Sequence, residues 1–123
     1  MQKIIHDSLA PRLAILRQGG LLNDENYVLV QDIIAFLRVQ YNLDLTEDNA
    51  ASFITHICAA LERISRGEKI EEMDPDVYEA AKSELVFDKA LQLVLELQKR
   101  HPVLPDSELK FITMHICALL MVD

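Results

Sequence analysis

Residues 53–61 of this chain read FITHICAAL, and the pattern returns at residues 111–119 as FITMHICAL. In both copies the apolar residues recur at spacings of three and four, which is the period of an amphipathic α-helix. Each copy carries one histidine, His56 or His115, in the middle of its apolar stretch. Two copies are too few for a solenoid. We therefore expect each copy to form the second helix of an antiparallel helix hairpin.

The rest of the chain also has helical spacing, and its few glycines and prolines lie where helices would end. Good capping residues mark several helix starts. We predict five helices in this part: 24–40, from Thr46 to Gly67, from Asp74 to about 83, 85–100, and from Pro105 to the end. The sequence thus predicts an all-α five-helix bundle. Two antiparallel hairpins, 24–66 and 85–122, would pack together with the short helix as a crosspiece.

The N-terminal residues form the least regular part of the pattern. Their apolar stripe runs from Ile4 to Leu21, and Pro11 interrupts it. A proline either kinks one helix or begins a second one at its first position. We predict a helical extension, 1–22, that precedes the bundle at 23–123. Because an apolar stripe needs a partner surface, this extension should pack on the bundle or across a dimer.

Composition and charge limit the classes of function. Half of the residues are apolar, and 20 acidic residues against 12 basic ones give a net charge of −8. This composition does not suit intrinsic disorder, and an acidic chain does not suit binding to nucleic acid or to an anionic membrane. No apolar run reaches the roughly 18 residues of a transmembrane helix, and no signal-peptide pattern is present. With only two cysteines, these features predict a cytoplasmic protein.

His56 and His115 are the candidate functional side chains, because an imidazole can accept a phosphoryl group, bind a metal ion or act as a general base. Arg63 follows His56 by seven positions, and Glu108 precedes His115 by seven. Residues at this spacing share a helix face but lie about 10.5 Å apart along the axis. We therefore expect Arg63 and Glu108 to act between or across helices.

Metal binding and enzyme catalysis suit the pattern less well. Cys58 and Cys117 follow the histidines by two positions, which points the side chains about 200° apart on a helix, so one metal ion cannot readily take both. Buried apolar packing is the simpler role for these cysteines. No glycine-rich phosphate loop, nucleophile elbow or paired catalytic carboxylate motif is present. We predict no metal, no cofactor and no enzymatic activity.

From about residue 24 to 122 the chain resembles a PTS regulation domain (PRD), the module through which the sugar phosphotransferase system (PTS) controls antiterminators and transcription activators. The first marker is HICAALER at 56–63, with an arginine seven positions after the histidine. The second is LPDSELKFITMHI at 104–116, in which a turn and a glutamate precede the histidine. The order and spacing of the two markers, rather than either one alone, support the resemblance.

The resemblance implies a five-helix bundle that forms a homodimer and takes part in the regulation of carbohydrate metabolism. It implies that His56 and His115 match the family's phosphorylated histidines, with the phosphocarrier HPr or an enzyme IIB component as phosphoryl donor. Arg63 and Glu108 would contact the phosphoryl group or support the histidines. Because this acidic chain resembles a single module without a nucleic-acid-binding domain, we expect a stand-alone module that acts through another regulatory protein.

Two alternatives stay open. The family usually has aspartate before the first histidine and often asparagine after the second, where this chain has Thr55 and Cys117-Ala118. These replacements favour a degenerate structural dimerisation module, in which the histidines only pack. The other alternative is an enzyme subunit or small-molecule sensor, for which a deep cavity would join His56, His115 and Glu108.

Overall fold

A computed structural model describes residues 7–69 and 72–121 of the chain. These residues form six α-helices and no β-strand, which confirms the predicted all-α class. The helices are α1 (Ala10–Gln18), α2 (Asp24–Tyr41), α3 (Glu47–Ser65), α4 (Pro75–Ala81), α5 (Phe87–Arg100) and α6 (Asp106–Leu120). The start of the predicted N-terminal stripe at Ile4 and the predicted end of the second hairpin at residue 122 lie outside the described residues.

Capping side chains explain where α2 and α3 begin. Before α2, the side-chain oxygen of Asn23 accepts a hydrogen bond from the backbone N–H of Asn26. Before α3, Thr46 and Asn49 form a capping box, in which each side chain accepts a hydrogen bond from the other residue's backbone N–H. These bonds satisfy N–H groups that have no partner inside the helix. The helix starts predicted near residue 24 and at Thr46 are therefore confirmed.

The connection between α4 and α5 is longer than predicted. α4 ends at Ala81 instead of about residue 83, and α5 begins at Phe87 instead of residue 85. The hydroxyl of Ser83 donates a hydrogen bond to the backbone carbonyl of Ala80, 2.8 Å away. A serine side chain that bonds to the preceding turn competes with continuation of the helix. The chain therefore leaves the helical path here.

The N-terminal extension contains a helix that packs on the bundle. Pro11 lies in the first turn of α1, where its missing N–H costs no hydrogen bond, so this proline begins a helix. Leu9 and Leu13 are buried in the same hydrophobic core as the other helices, and α1 contacts α2. The expected packing on the bundle is thus observed for α1, while the domain boundary after residue 22 stays a prediction.

Two helix pairs make up the rest of the fold. α2 packs on α3, and α5 packs on α6; short connections at 42–46 and 101–105 join the helices of each pair. The pairs meet chiefly where α3 packs on α6, and α4 also packs on α6. Buried apolar side chains from both helices fill the contact between α3 and α6. This contact brings the two copies of the repeated pattern together and positions the candidate site.

Candidate functional site

His56 on α3 and Glu108 on α6 meet across the contact between these two helices. Nε2 of His56 lies 2.7 Å from Oε1 of Glu108, which is hydrogen-bond distance. The side chain of Glu108 is 0% exposed, whereas that of His56 is 31% exposed. The second carboxylate oxygen, Oε2, is buried and has no hydrogen-bond partner among the described residues. A buried polar atom without a partner is costly for stability, so Glu108 calls for an explanation beyond packing.

His115 lies against His56 in the same contact. The centroids of the two imidazole rings are 5.4 Å apart. Each ring also contacts the phenylalanine of the opposite copy, with centroid distances of 5.2 Å from Phe111 to His56 and 5.5 Å from Phe53 to His115. The histidine of each copy thus contacts the phenylalanine of the other copy. His56 contacts both Glu108 and His115, and we call these three side chains the histidine cluster (His56, Glu108 and His115).

Burial determines the protonation of the second histidine. It lowers the pKa of His115 below the usual value of 6.5, and the neighbouring His56 lowers that pKa further. His115 is therefore neutral at neutral pH. A neutral imidazole keeps a lone pair on one ring nitrogen, which is what attack on a phosphorus atom requires.

The position of Glu108 at the start of α6 explains how a carboxyl group reaches this contact. Acidic side chains are favoured in the first turn of a helix, where the helix dipole is positive, and Glu108 shares this turn with Asp106. Its backbone N–H donates a hydrogen bond to the carbonyl of Pro105, 3.0 Å away. The structure thus places Glu108 across the helix contact, with His56 rather than His115 as its hydrogen-bond partner. Its functional role stays a prediction.

Arg63, the fourth residue predicted from the sequence, is exposed. It lines a groove of about 290 Å³ together with Leu16, Ala59 and Arg66. No hydrogen bond or ion pair joins it to the histidine cluster in the part of the chain that the structure describes. The structure therefore brings together three of the four predicted residues, and the role of Arg63 as a phosphate contact stays a prediction.

A contact that the sequence did not indicate ties α1 to the residue before His56. Arg12 donates hydrogen bonds to both carboxylate oxygens of Glu47 at 3.0 Å and to the hydroxyl of Thr55 at 2.9 Å. Arg12 and Thr55 are 43 positions apart, so no local spacing rule could have paired them. Thr55 therefore helps to hold α1 on the bundle.

A second long-range cluster joins α2 to the end of α5. The carboxylate of Asp32 lies 2.7 Å from Nε of Arg100 and 2.6 Å from Nε2 of His101. The hydrogen bond from Arg100 lowers the pKa of Asp32 to about 2, and the hydrogen bond from His101 lowers it as well, against the opposing effect of burial. This ion pair connects the two helix pairs and shares no residue with the histidine cluster.

The cysteines and the remaining acidic groups form no metal site in the described part of the chain. No group of three or more histidine, cysteine, aspartate and glutamate side chains there is arranged to hold a metal ion. Cys58 and Cys117 are free and buried. Burial raises the pKa of Cys58 to about 12, so this thiol is uncharged at neutral pH.

Three grooves among the described residues lie apart from the histidine cluster. They lie along α1, and neither histidine of the cluster nor Glu108 lines any of them. These grooves therefore give no support to a small-molecule sensor built on the cluster. In the described ranges, 7–69 and 72–121, no helix is long and apolar enough to cross a membrane.

Comparison with protein-family models identifies a match for most of the chain. The model described as PRD domain matches residues 31–119. This span contains all three residues of the histidine cluster and leaves out α1. Comparisons with curated proteins and with solved structures give no significant match.

Proposed function

Because the chain belongs to the PRD domain family, a family of regulatory modules of the sugar phosphotransferase system, we propose that it is controlled by phosphorylation of His56 or His115. The phosphoryl donor would be HPr or an enzyme IIB component. The module would act in the cytoplasm, by protein–protein contact. It would not act as an enzyme or through direct binding to nucleic acid or membrane.

The observation that carries the proposal is the histidine cluster itself. Two histidines that a purely apolar core would not need lie with their rings 5.4 Å apart, and a fully buried carboxyl group bonds to one of them. A buried Glu108 with an unpartnered oxygen costs stability, and packing alone gives no reason to keep it. A phosphoryl-accepting histidine gives such a reason, because a carboxylate at one ring nitrogen orients the imidazole.

Phosphorylation would change the surface where α3 meets α6. A phosphoryl group adds a charge of about −1.5 to −2 and three strong hydrogen-bond acceptors. Because His56 is partly exposed at this contact, a partner protein can recognise the charge that phosphorylation adds. Arg63, exposed on the same helix, is our proposed contact for the phosphoryl group. Such a local change can shift a two-state assembly.

We also propose the assembly that this regulation acts on. The short connections within each helix pair support two antiparallel hairpins, with α4 as a crosspiece. A homodimer would be the regulated form, because addition of charge near a subunit interface can strengthen or weaken it. The mass of the protein in solution by light scattering, before and after phosphorylation, tests this part of the proposal.

Phosphoryl transfer from purified components tests the function directly. The protein is incubated with phosphoenolpyruvate, enzyme I and HPr, with and without each candidate IIB component. We expect an acid-labile mass gain of about 80 Da for each phosphoryl group, mapped to His56 or His115. His101→Gln, which changes a histidine outside the cluster, should leave the gain intact, whereas the double variant His56→Gln/His115→Gln should abolish it. No gain with any donor would rule the proposal out.

A structural dimerisation module without phosphorylation is the second candidate. It is favoured by one observation, which is that Thr55 bonds to Arg12 on α1 instead of orienting a histidine. In that case His56→Ala and His115→Ala would alter the free energy of unfolding. They would change neither partner binding nor the mass of the protein after incubation with a phosphoryl donor. The phosphoryl-transfer experiment separates the two candidates.

A further inference from the structure

The two ring nitrogens of His56 face different surroundings. Nε2 lies 2.7 Å from Oε1 of Glu108, whose side chain is completely buried, so this edge of the ring faces the protein interior. Nδ1 has no hydrogen-bond partner among the described residues, and it is not among their buried unpartnered atoms, whose sole member is Oε2 of Glu108. Nδ1 is therefore not fully buried, in agreement with the partial exposure of the side chain.

We infer that Nδ1 of His56 is the atom that accepts the phosphoryl group, and that Glu108 is the positioning residue that selects it. The inference deepens the proposed function and rests on it for the identity of the physiological donor. It assigns a nitrogen and a proton acceptor, neither of which follows from membership of the family.

The selection follows from the hydrogen bond. An ionised carboxylate can only accept hydrogen bonds, so the imidazole atom that bonds to it must carry the hydrogen. A neutral imidazole has one N–H, and the hydrogen bond of one nitrogen therefore decides where the lone pair lies. With the hydrogen of His56 on Nε2, the lone pair is on Nδ1. The nucleophilic nitrogen is thus the one that does not bond to the buried carboxylate, on a side chain that is partly exposed.

The transfer step balances within these residues and a phosphorylated donor. The lone pair of Nδ1 forms the new bond to phosphorus, while the bond from phosphorus to the donor's nitrogen or sulfur breaks and the donor keeps that electron pair. The His56 ring becomes cationic and passes its Nε2 proton to Oε1 of Glu108. The products are a neutral phosphorylated imidazole ring, a neutral carboxyl group and a donor that regains a proton from solvent. Glu108 would be uncharged in this product, so the cost of a buried carboxylate is removed.

His115 provides an internal comparison. In the described part of the chain no carboxylate bonds to its ring, and its neighbours are the rings of His56 and Phe53. No carboxylate hydrogen bond therefore selects one ring nitrogen of His115 for phosphorylation. Any preference between its two nitrogens would have another cause.

The first test reads the tautomer of the unphosphorylated protein. Long-range ¹H–¹⁵N correlation spectra at pH 7.5, assigned with the variant His56→Gln, distinguish the protonated from the unprotonated ring nitrogen. We expect the hydrogen of His56 on Nε2. A hydrogen on Nδ1 would overturn the inference, because Glu108 would then be the donor and Nδ1 would have no lone pair. This test needs no variant with a changed Glu108, so it holds even if such variants fold poorly.

The second test reads the phosphorylated nitrogen with a small donor. Phosphoramidate transfers its phosphoryl group to histidine and releases ammonia, so it needs no partner protein. We expect the Nδ1 isomer at His56 in the folded protein, identified by ³¹P and ¹⁵N spectra and mapped by mass spectrometry, and a loss of this preference in urea. The Nε2 isomer, or no reaction at His56 in the folded protein, would overturn the inference. Formation of the Nδ1 isomer with phosphoramidate but no transfer from HPr or IIB would instead refute the proposed function alone.

The third test removes the proton acceptor. Glu108→Gln keeps the size of the side chain but cannot take the proton, so the rate of His56 phosphorylation should fall about 100-fold. The matched control is Glu84→Gln, the same change at an exposed position, which should leave the rate unchanged. An unchanged rate and an unchanged isomer in a folded Glu108→Gln protein would assign Glu108 a structural role only.

Discussion

His115 shows how the environment of one residue sets its chemistry. The sequence marks it only as the second copy of a histidine in an apolar helix. In the fold, burial and the proximity of His56 both lower its pKa, since each disfavours a positive charge. Its neighbour His56 differs because Glu108 lies at one of its ring nitrogens. Two histidines from matching sequence positions thus have different surroundings.

The pKa of His115 predicts a pH dependence of stability. Folded His115 binds a proton more weakly than unfolded His115, whose pKa is near 6.5, so the unfolded state binds more protons as the pH falls through this value. The free energy of unfolding should therefore fall as the pH drops from about 6.5 to the folded pKa of His115, and this effect should level off below that pKa.

Urea denaturation at several pH values, with NMR titration of the ring, measures this effect. We expect a His115 midpoint below 6.5 and a smaller pH slope of stability in His115→Gln than in the natural protein. In His56→Gln the midpoint should stay below 6.5, because burial is the larger cause. A His115 midpoint at or above 6.5 would contradict the prediction.

At the scale of helices, the sequence predicts well what local contacts decide. The starts of α2 and α3 follow from caps within three residues of the helix, and such bonds are encoded by neighbouring positions. The end of α4 was predicted less well, because the bond from Ser83 to the preceding turn competes with a helical pattern that continues in the sequence. The packing of α1 depends on Arg12 and on distant residues of α3, which no local pattern reveals.

The docking of α1 predicts opposite outcomes for two residues of the same helix. Leu13 is buried in the common core, whereas Ile15 is 68% exposed. Leu13→Ala should lower the free energy of unfolding by about 2–5 kcal/mol, because it leaves a cavity. Ile15→Ala, the matched control, should change it by no more than about 0.5 kcal/mol. Urea denaturation of both variants measures the difference, and equal effects would show that α1 does not pack as described.

At the scale of the whole molecule, two long-range connections hold the helix pairs together. One is the contact between α3 and α6, where each histidine ring contacts the other copy's phenylalanine at a tilted angle. The other is the ion pair of Asp32 with Arg100 and His101. The first connection carries the candidate site, and the second ties α2 to α5 without contributing a residue to it.

The second connection predicts a loss of stability in acid. The pKa of Asp32 is about 2 in the fold, mainly because of the hydrogen bond from Arg100, against 3.8 ordinarily. Its contribution to stability is thus present above about pH 4 and is lost as the pH falls toward 2.

Comparison of Asp32→Asn with the natural protein tests this contribution. The difference in free energy of unfolding between the two should shrink between pH 4 and pH 2. Asp24→Asn makes the same change on the same helix at a side chain that is 84% exposed, and should have a smaller effect at every pH. A difference for Asp32→Asn that is constant with pH would contradict the assignment.

The helical class, the starts of most helices, the family resemblance and the choice of candidate histidines all follow from the order of residues along the chain. These properties depend on residues within a turn of one another, or on an order of residues that can be compared directly. The packing of the helices is needed to show that Glu108 bonds to His56 rather than to His115, and that Thr55 bonds to Arg12 on α1. It also shows that Arg63 lines a groove to which the histidine cluster does not contribute. Such pairings depend on how helices cross and turn against each other, and the spacing within one helix contains no information about that.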